Sequence, residues 1–78
     1  MVEKTNKINL ELSLGEVFTI VNSLIRNSQR LMEIGAPSSL VLHKLELAET
    51  LNVRLADNDY DCWSDEEFQK LREEALKH

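Results

Sequence analysis

The sequence predicts a mainly α-helical single domain, in which an N-terminal β-strand precedes an antiparallel helical hairpin and a third, short C-terminal helix, the strand being paired between subunits. Three observations carry this expectation. Two runs with helical apolar spacing, 13–34 and 37–56, are broken once, around Gly35-Ala36-Pro37-Ser38-Ser39. Residues 5–12 alternate apolar and polar with a period of two. A fresh helix signature at Ser64 opens a last stretch, 64–77, after an acidic linker at 57–63.

In the first segment Ile8, Leu10 and Leu12 share one side and Lys7, Asn9 and Glu11 the other, the pattern of a half-buried strand. A strand needs partners for its backbone N–H and C=O groups, and an unpaired edge invites another chain. Asn52 to Leu55 also alternates but continues a helical pattern equally well, so pairing between two copies is the expectation.

The first helix has a full start signal. Ser13 and Glu16 form a capping box, Leu12 and Val17 a hydrophobic staple. Leu14, Val17, Phe18, Val21, Leu24, Ile25, Leu31 and Met32 then make one apolar stripe, and Gly35 suits the left-handed residue that ends the helix. On the opposite face Asn22, Arg26 and Arg30 fall roughly in line with Ser23 beside them, and no carboxylate intervenes between Glu16 and Glu33. Arginine makes paired bonds to phosphate or carboxylate, so these four residues are the candidate site for a small anionic ligand.

Pro37 suits the first position of the second helix, with Ser38 and Ser39 offering oxygens to its free N–H groups. From Leu40 to Ala56 the apolar residues spread over an arc of roughly 240° at the helical repeat. One neighbour cannot cover so wide an arc. The preceding helix takes part of it, and the flank holding Leu42 and Val53, together with Ile8, Leu10 and Leu12, is expected at an interface between copies. His43 and Glu46 are close enough to touch on a helix, but nothing supplies a nucleophile or second catalytic partner, so no enzyme is expected.

Between Asp57 and Glu67 stand six acids in eleven residues with no base among them. Asp57, Asp59 and Asp61 open like a calcium loop, yet Cys62 stands where glycine is needed and Phe68 where the last carboxylate is needed. With Tyr60 and Trp63 these aspartates instead form a candidate surface for a basic partner protein. The last helix begins with Ser64 and Glu67 as capping box and Trp63 and Phe68 as staple, and continues through Leu71 and Ala75.

Composition sets the limits. A chain of 78 residues buries only roughly 60% of the surface its unfolded form exposes, which leaves its stability marginal. Cys62 is its only cysteine, and its two histidines, His43 and His78, lie far apart, so neither an internal disulfide nor a usual metal cluster supplies the deficit. Regular helix packing and self-association remain. The net charge of −5 argues against a direct grip on nucleic acid or a membrane surface. A soluble protein of the bacterial or infected-cell cytoplasm, with no cofactor, is the expectation.

In outline, the acidic hairpin with a glycine-containing turn resembles the small sporulation aspartyl-phosphate phosphatases of bacilli. Their second helix carries Ser-Gln-Glu-Leu-Asp, whereas Leu45-Glu46-Leu47-Ala48-Glu49 here lacks the Ser, the Gln and the Asp, so the resemblance implies no activity. In size, acidity and layout the chain is also similar to bacteriophage accessory proteins. The unpaired strand and the wide apolar arc of the second helix lead to the first expectation, a non-enzymatic homo-oligomeric binding protein; the likeness implies two others, a sponge holding a nucleotide signal between subunits and an acidic DNA mimic that inhibits a host protein.

Overall fold

A computed structural model of the chain describes residues 11–77, in which three helices follow one another: α1 (Leu14–Glu33), α2 (Ser38–Asp57) and α3 (Asp65–Lys77). Among the described residues there is no strand. Ile8 and Leu10 of the expected strand lie outside them, and Leu12 precedes the first helix in irregular chain.

α1 starts as its sequence requires. The Glu16 N–H donates to Ser13 Oγ at 3.1 Å and the Ser13 N–H donates back to Glu16 Oε1 at 2.8 Å. The Ser13 backbone N–H, and to a lesser degree its hydroxyl, holds the Glu16 carboxyl below its ordinary value. A lowered carboxyl stabilises the fold above the ordinary carboxylate range, and this contribution disappears as pH falls through the lowered value. At the other end Gly35 takes φ 78°, the Ala36 N–H bonds Leu31 C=O at 2.9 Å and the Gly35 N–H bonds Met32 C=O at 3.2 Å. That pair of bonds is a Schellman motif.

α2 departs slightly from expectation at its start. Pro37 is the residue before the helix, not its first turn, and neither Ser38 nor Ser39 caps a backbone N–H through its side chain. A side-chain oxygen caps from the position that proline holds, and the serines stand one and two residues too late. The Pro37 carbonyl instead accepts from the Leu40 and Val41 N–H groups.

Its far end repeats the Schellman pattern without glycine. The Tyr60 N–H donates to Leu55 C=O at 2.9 Å and the Asp59 N–H to Ala56 C=O at 3.1 Å, with Asp59 at φ 54°. A side chain in that left-handed region costs about 1–2 kcal/mol, less for Asp and Asn, while glycine's freedom in the unfolded chain takes back about 0.5–1 kcal/mol. Asp59→Gly is therefore expected to stabilise by about 0.5 kcal/mol. A thermal melt should rise by about 2–4 °C.

α3 opens with its own capping box, in which the Ser64 N–H donates to Glu67 Oε1 and the Glu67 N–H to Ser64 Oγ. The three helices then share one core, made by Val17, Val21 and Ile25, by Val41, Leu45, Ala48 and Leu55, and by Phe68, Leu71 and Ala75. Along α2 the buried positions 41, 45, 48, 52 and 55 alternate by four and three residues, the spacing of a coiled-coil seam. Two polar side chains occupy core positions. Ser28 satisfies itself by donating to Ile25 C=O at 2.6 Å. Asn52 does not look to its own helix at all.

Candidate functional site

Asn52 holds the linker. Its Nδ2 donates to Trp63 C=O at 2.9 Å and its Oδ1 accepts from the Trp63 N–H at 2.9 Å, a closed pair of bonds that treats Trp63 as a neighbouring strand would. The same tryptophan donates its indole Nε1–H to Asn22 Oδ1 at 2.7 Å, so one residue ties α1, α2 and the start of α3 together. Tyr60 is likewise turned onto the fold, its ring edge-to-face with Phe18 at 6.0 Å between centroids. Further along, Arg72 and Glu49 pair between α3 and α2.

These contacts redistribute the candidate partner surface. Asp57 lies in the last turn of α2, Asp59 forms the left-handed turn, and only Asp61 lies outside both helix and turn; all three are exposed. Trp63 is half-buried and committed to two asparagines, and Tyr60 is committed to Phe18. The acids face water while the aromatic residues hold the linker to the helices.

The candidate anion site is split in a similar way. Ser23, Arg26 and Arg30 are exposed and line one shallow depression with Asn27, Gln29 and Glu33. Asn22 is not among its walls, because Trp63 draws it round to the flank beside the linker. Among the described residues neither arginine is in an ion pair. The depression lies on a single helix face, with the Glu33 carboxylate on its rim.

No other chemistry gathers. His43 and Glu46 are exposed and share no hydrogen bond, Cys62 is exposed, and no group of three metal-ligating side chains occurs among the described residues. No described helix is long and apolar enough to cross a membrane.

A feature missed by the expected interface residues lies on the back of the hairpin. Leu42 packs against the core and Val53 stands by itself at 53% exposure. Leu40 and Leu47, each 42% exposed, instead fall with half-buried Leu51 in one sector of α2 about 40° wide. On α1 half-buried Ile20, Leu24 and Leu31 fall in another about 40° wide. In an antiparallel pair these two sectors turn the same way, opposite to the flanks where Asn22, Asn52 and Glu49 hold the linker and α3. The hairpin is therefore covered on one side and leaves a broad, partly open apolar face on the other. The seven-residue step from Leu40 to Leu47 was the available signal in the sequence, masked by the width of the apolar arc around it. No protein-family model matches this chain, and neither a curated protein nor a solved structure matches it.

Proposed function

We propose that this is a non-enzymatic binding protein that acts as a homo-oligomer, assembled through the hairpin face opposite α3, with the segment 5–12 pairing as a strand between copies. The single observation that supports it is that face, with Leu40 and Leu47 each 42% exposed and Ile20, Leu24, Leu31 and Leu51 half-buried around them. A contiguous apolar face on so small a protein marks an interaction site more often than a stray surface leucine does. Light scattering after size-exclusion chromatography should give a mass above that of one chain at micromolar concentration. Leu40→Glu with Leu47→Glu should reduce it to a single chain with the helical circular-dichroism signal retained, since both side chains already meet water. A wild-type protein of single-chain mass ends the proposal.

A second reading rests on the depression around Ser23, Arg26 and Arg30, whose exposed guanidinium groups suit a small anion such as a nucleotide phosphate. It would make the assembly a carrier of that ligand. Thermal shifts induced by a nucleotide panel should vanish in Arg26→Glu with Arg30→Glu; shifts unchanged by that pair of substitutions exclude the site.

A further inference from the structure

We infer that the open hairpin face is a second, self-complementary coiled-coil seam, closed by a second copy as an antiparallel four-helix bundle whose two-fold axis runs along the helices, with Asn27 and Lys44 fixing the register. This rests on self-association through that face and names how the two copies meet and which residues decide it.

The seam is written in both helices. On α1 the residues Ile20, Leu24, Asn27 and Leu31 are spaced by four, three and four, and on α2 Leu40, Lys44, Leu47 and Leu51 repeat the same steps. That is the spacing of side chains that enter the holes of a facing helix. The buried row of α2, from Val41 through Leu45, Ala48 and Asn52 to Leu55, runs beside it one residue further on. One row is used within the chain and the other lies open.

The turn sets the two open rows level. Glu33 ends α1 and Ser38 begins α2, so equal numbers of steps away from the turn reach the same height on each helix. Ile20 stands level with Leu51, Leu24 with Leu47, Asn27 with Lys44 and Leu31 with Leu40. The cavity that Leu14 and Val17 share with Arg54 and Asp57 keeps the same register at the far end. The face is thus three apolar rungs and one polar rung, exposed Asn27 beside half-buried Lys44, the second from the turn.

That polar rung chooses the axis. Two such hairpins can lie face to face with facing helices antiparallel in two ways. An axis across the helices sets α2 on α2, and matching the polar rungs brings Lys44 against Lys44 of the partner subunit; sliding the copies to part them sets each lysine on leucine or on Arg54 of the partner subunit. An axis along the helices sets α1 of each copy on α2 of the other, with every rung at its own height. Lys44 then donates to the amide oxygen of Asn27 of the partner subunit, and Leu24 meets Leu47 of the partner subunit. Beyond the Ile20 rung, Glu16 approaches Arg54 of the partner subunit. Like charges pressed together where water is excluded repel strongly, whereas a lysine that pairs with an amide and reaches toward the rim does not.

Disulfide linkage reads the axis. With Cys62→Ser in every chain, one chain carrying Asn27→Cys and another carrying Lys44→Cys are refolded together from urea and oxidised. Facing positions of packed helices come within disulfide reach, about 5–6 Å between Cα atoms, and diagonal positions do not. The expected product is the mixed pair alone, in a protein whose mass by light scattering is that of two chains. Chains linked to their own kind overturn the lengthwise axis; no linkage in a protein of multiple mass overturns the bundle and leaves self-association standing. A single-chain mass for the unsubstituted protein removes both. Lys44→Leu supplies the second readout: it turns the polar rung apolar in each copy, so the concentration at which the pair dissociates should fall by about tenfold or more. A dissociation concentration that is unchanged or raised sets Lys44 outside the contact and overturns the register.

Discussion

Replacing Asn52 by alanine is expected to cost about 2–4 kcal/mol and to lower the melting temperature by about 10–20 °C, far more than one lost amide on a helix would suggest. The side chain is 6% exposed, and both its polar atoms are taken by the backbone of Trp63. Truncation leaves the Trp63 N–H and C=O without partners in a place water reaches poorly, and each orphaned group costs about 1–3 kcal/mol. Asn52→Asp tests the geometry. It keeps an acceptor for the Trp63 N–H but sets a second oxygen against the Trp63 carbonyl, so it should be nearly as damaging as alanine despite identical size. Trp63→Phe removes only the indole bond to Asn22 and some ring area, and should cost less than either. Thermal melts of the four proteins check the order. If Asn52→Ala melts within 3 °C of the wild type, water replaces the amide and the latch contributes little.

The same residue shows where the sequence was readable and where it was not. Capping boxes at Ser13 and Ser64 and the turn at Gly35 are local events, decided by residues three or four apart, and each is found where local chemistry put it. The core stripe of α1 is equally local, because helical spacing alone assigns Val17, Val21 and Ile25 to one face. Asn22 and Asn52 are different. Asn22 lies in line with Arg26 and Arg30 on an isolated helix, and only Trp63, 41 positions away, draws it out of that group. Asn52 to Leu55 reads equally as strand or helix because its apolar residues alternate; the stretch lies within α2, and the partner that Asn52 holds comes from the linker, eleven positions on. Asp59 hides the second Schellman turn because the usual marker, glycine, is missing, leaving Tyr60 after it as the clue.

One-sidedness connects these details to the proposed function. The latch and the pairing of Arg72 with Glu49 fasten linker and α3 to the same side of the hairpin, and the indole bond to Asn22 fixes which side. The wide apolar arc of α2 is thereby divided. Val41, Leu45, Ala48 and Leu55 are buried within the chain, whereas Leu40 and Leu47 stay exposed on the opposite flank. A change that weakens the latch should thus affect stability without directly altering the opposite face, and Leu40→Glu with Leu47→Glu should do the reverse. Distant sites with no shared partner are expected to act additively.

Phe68→Ala is expected to have the largest effect of any single substitution in the described chain, about 3–5 kcal/mol. The ring is 0% exposed and is the largest fully buried side chain, and it stands at the fourth position of α3, directly after the capping box. At roughly 0.05–0.15 kcal/mol per residue a domain of 78 residues has about 4–12 kcal/mol in total, so the loss takes from about a quarter of it to the whole. What remains to hold α3 is the Trp63 latch at its start, Leu71, Ala75 and a part-exposed ion pair, and pairs of that kind contribute at most about 1 kcal/mol. A 13-residue helix released from its packing does not persist in water. The hairpin should not survive it intact either, because α3 covers an apolar side of α1 and α2 that would then be wet along with the open one. Circular dichroism distinguishes the two fates. Loss of α3 alone removes about a quarter of the helical signal, since α3 has 13 residues in helix against 20 in each of α1 and α2. The expected result is a much larger loss with no cooperative melt, while Phe68→Leu, which refills most of the cavity, keeps both the signal and a melt. A Phe68→Ala protein that loses only the α3 share and still melts sharply would show that the hairpin is a folding unit by itself.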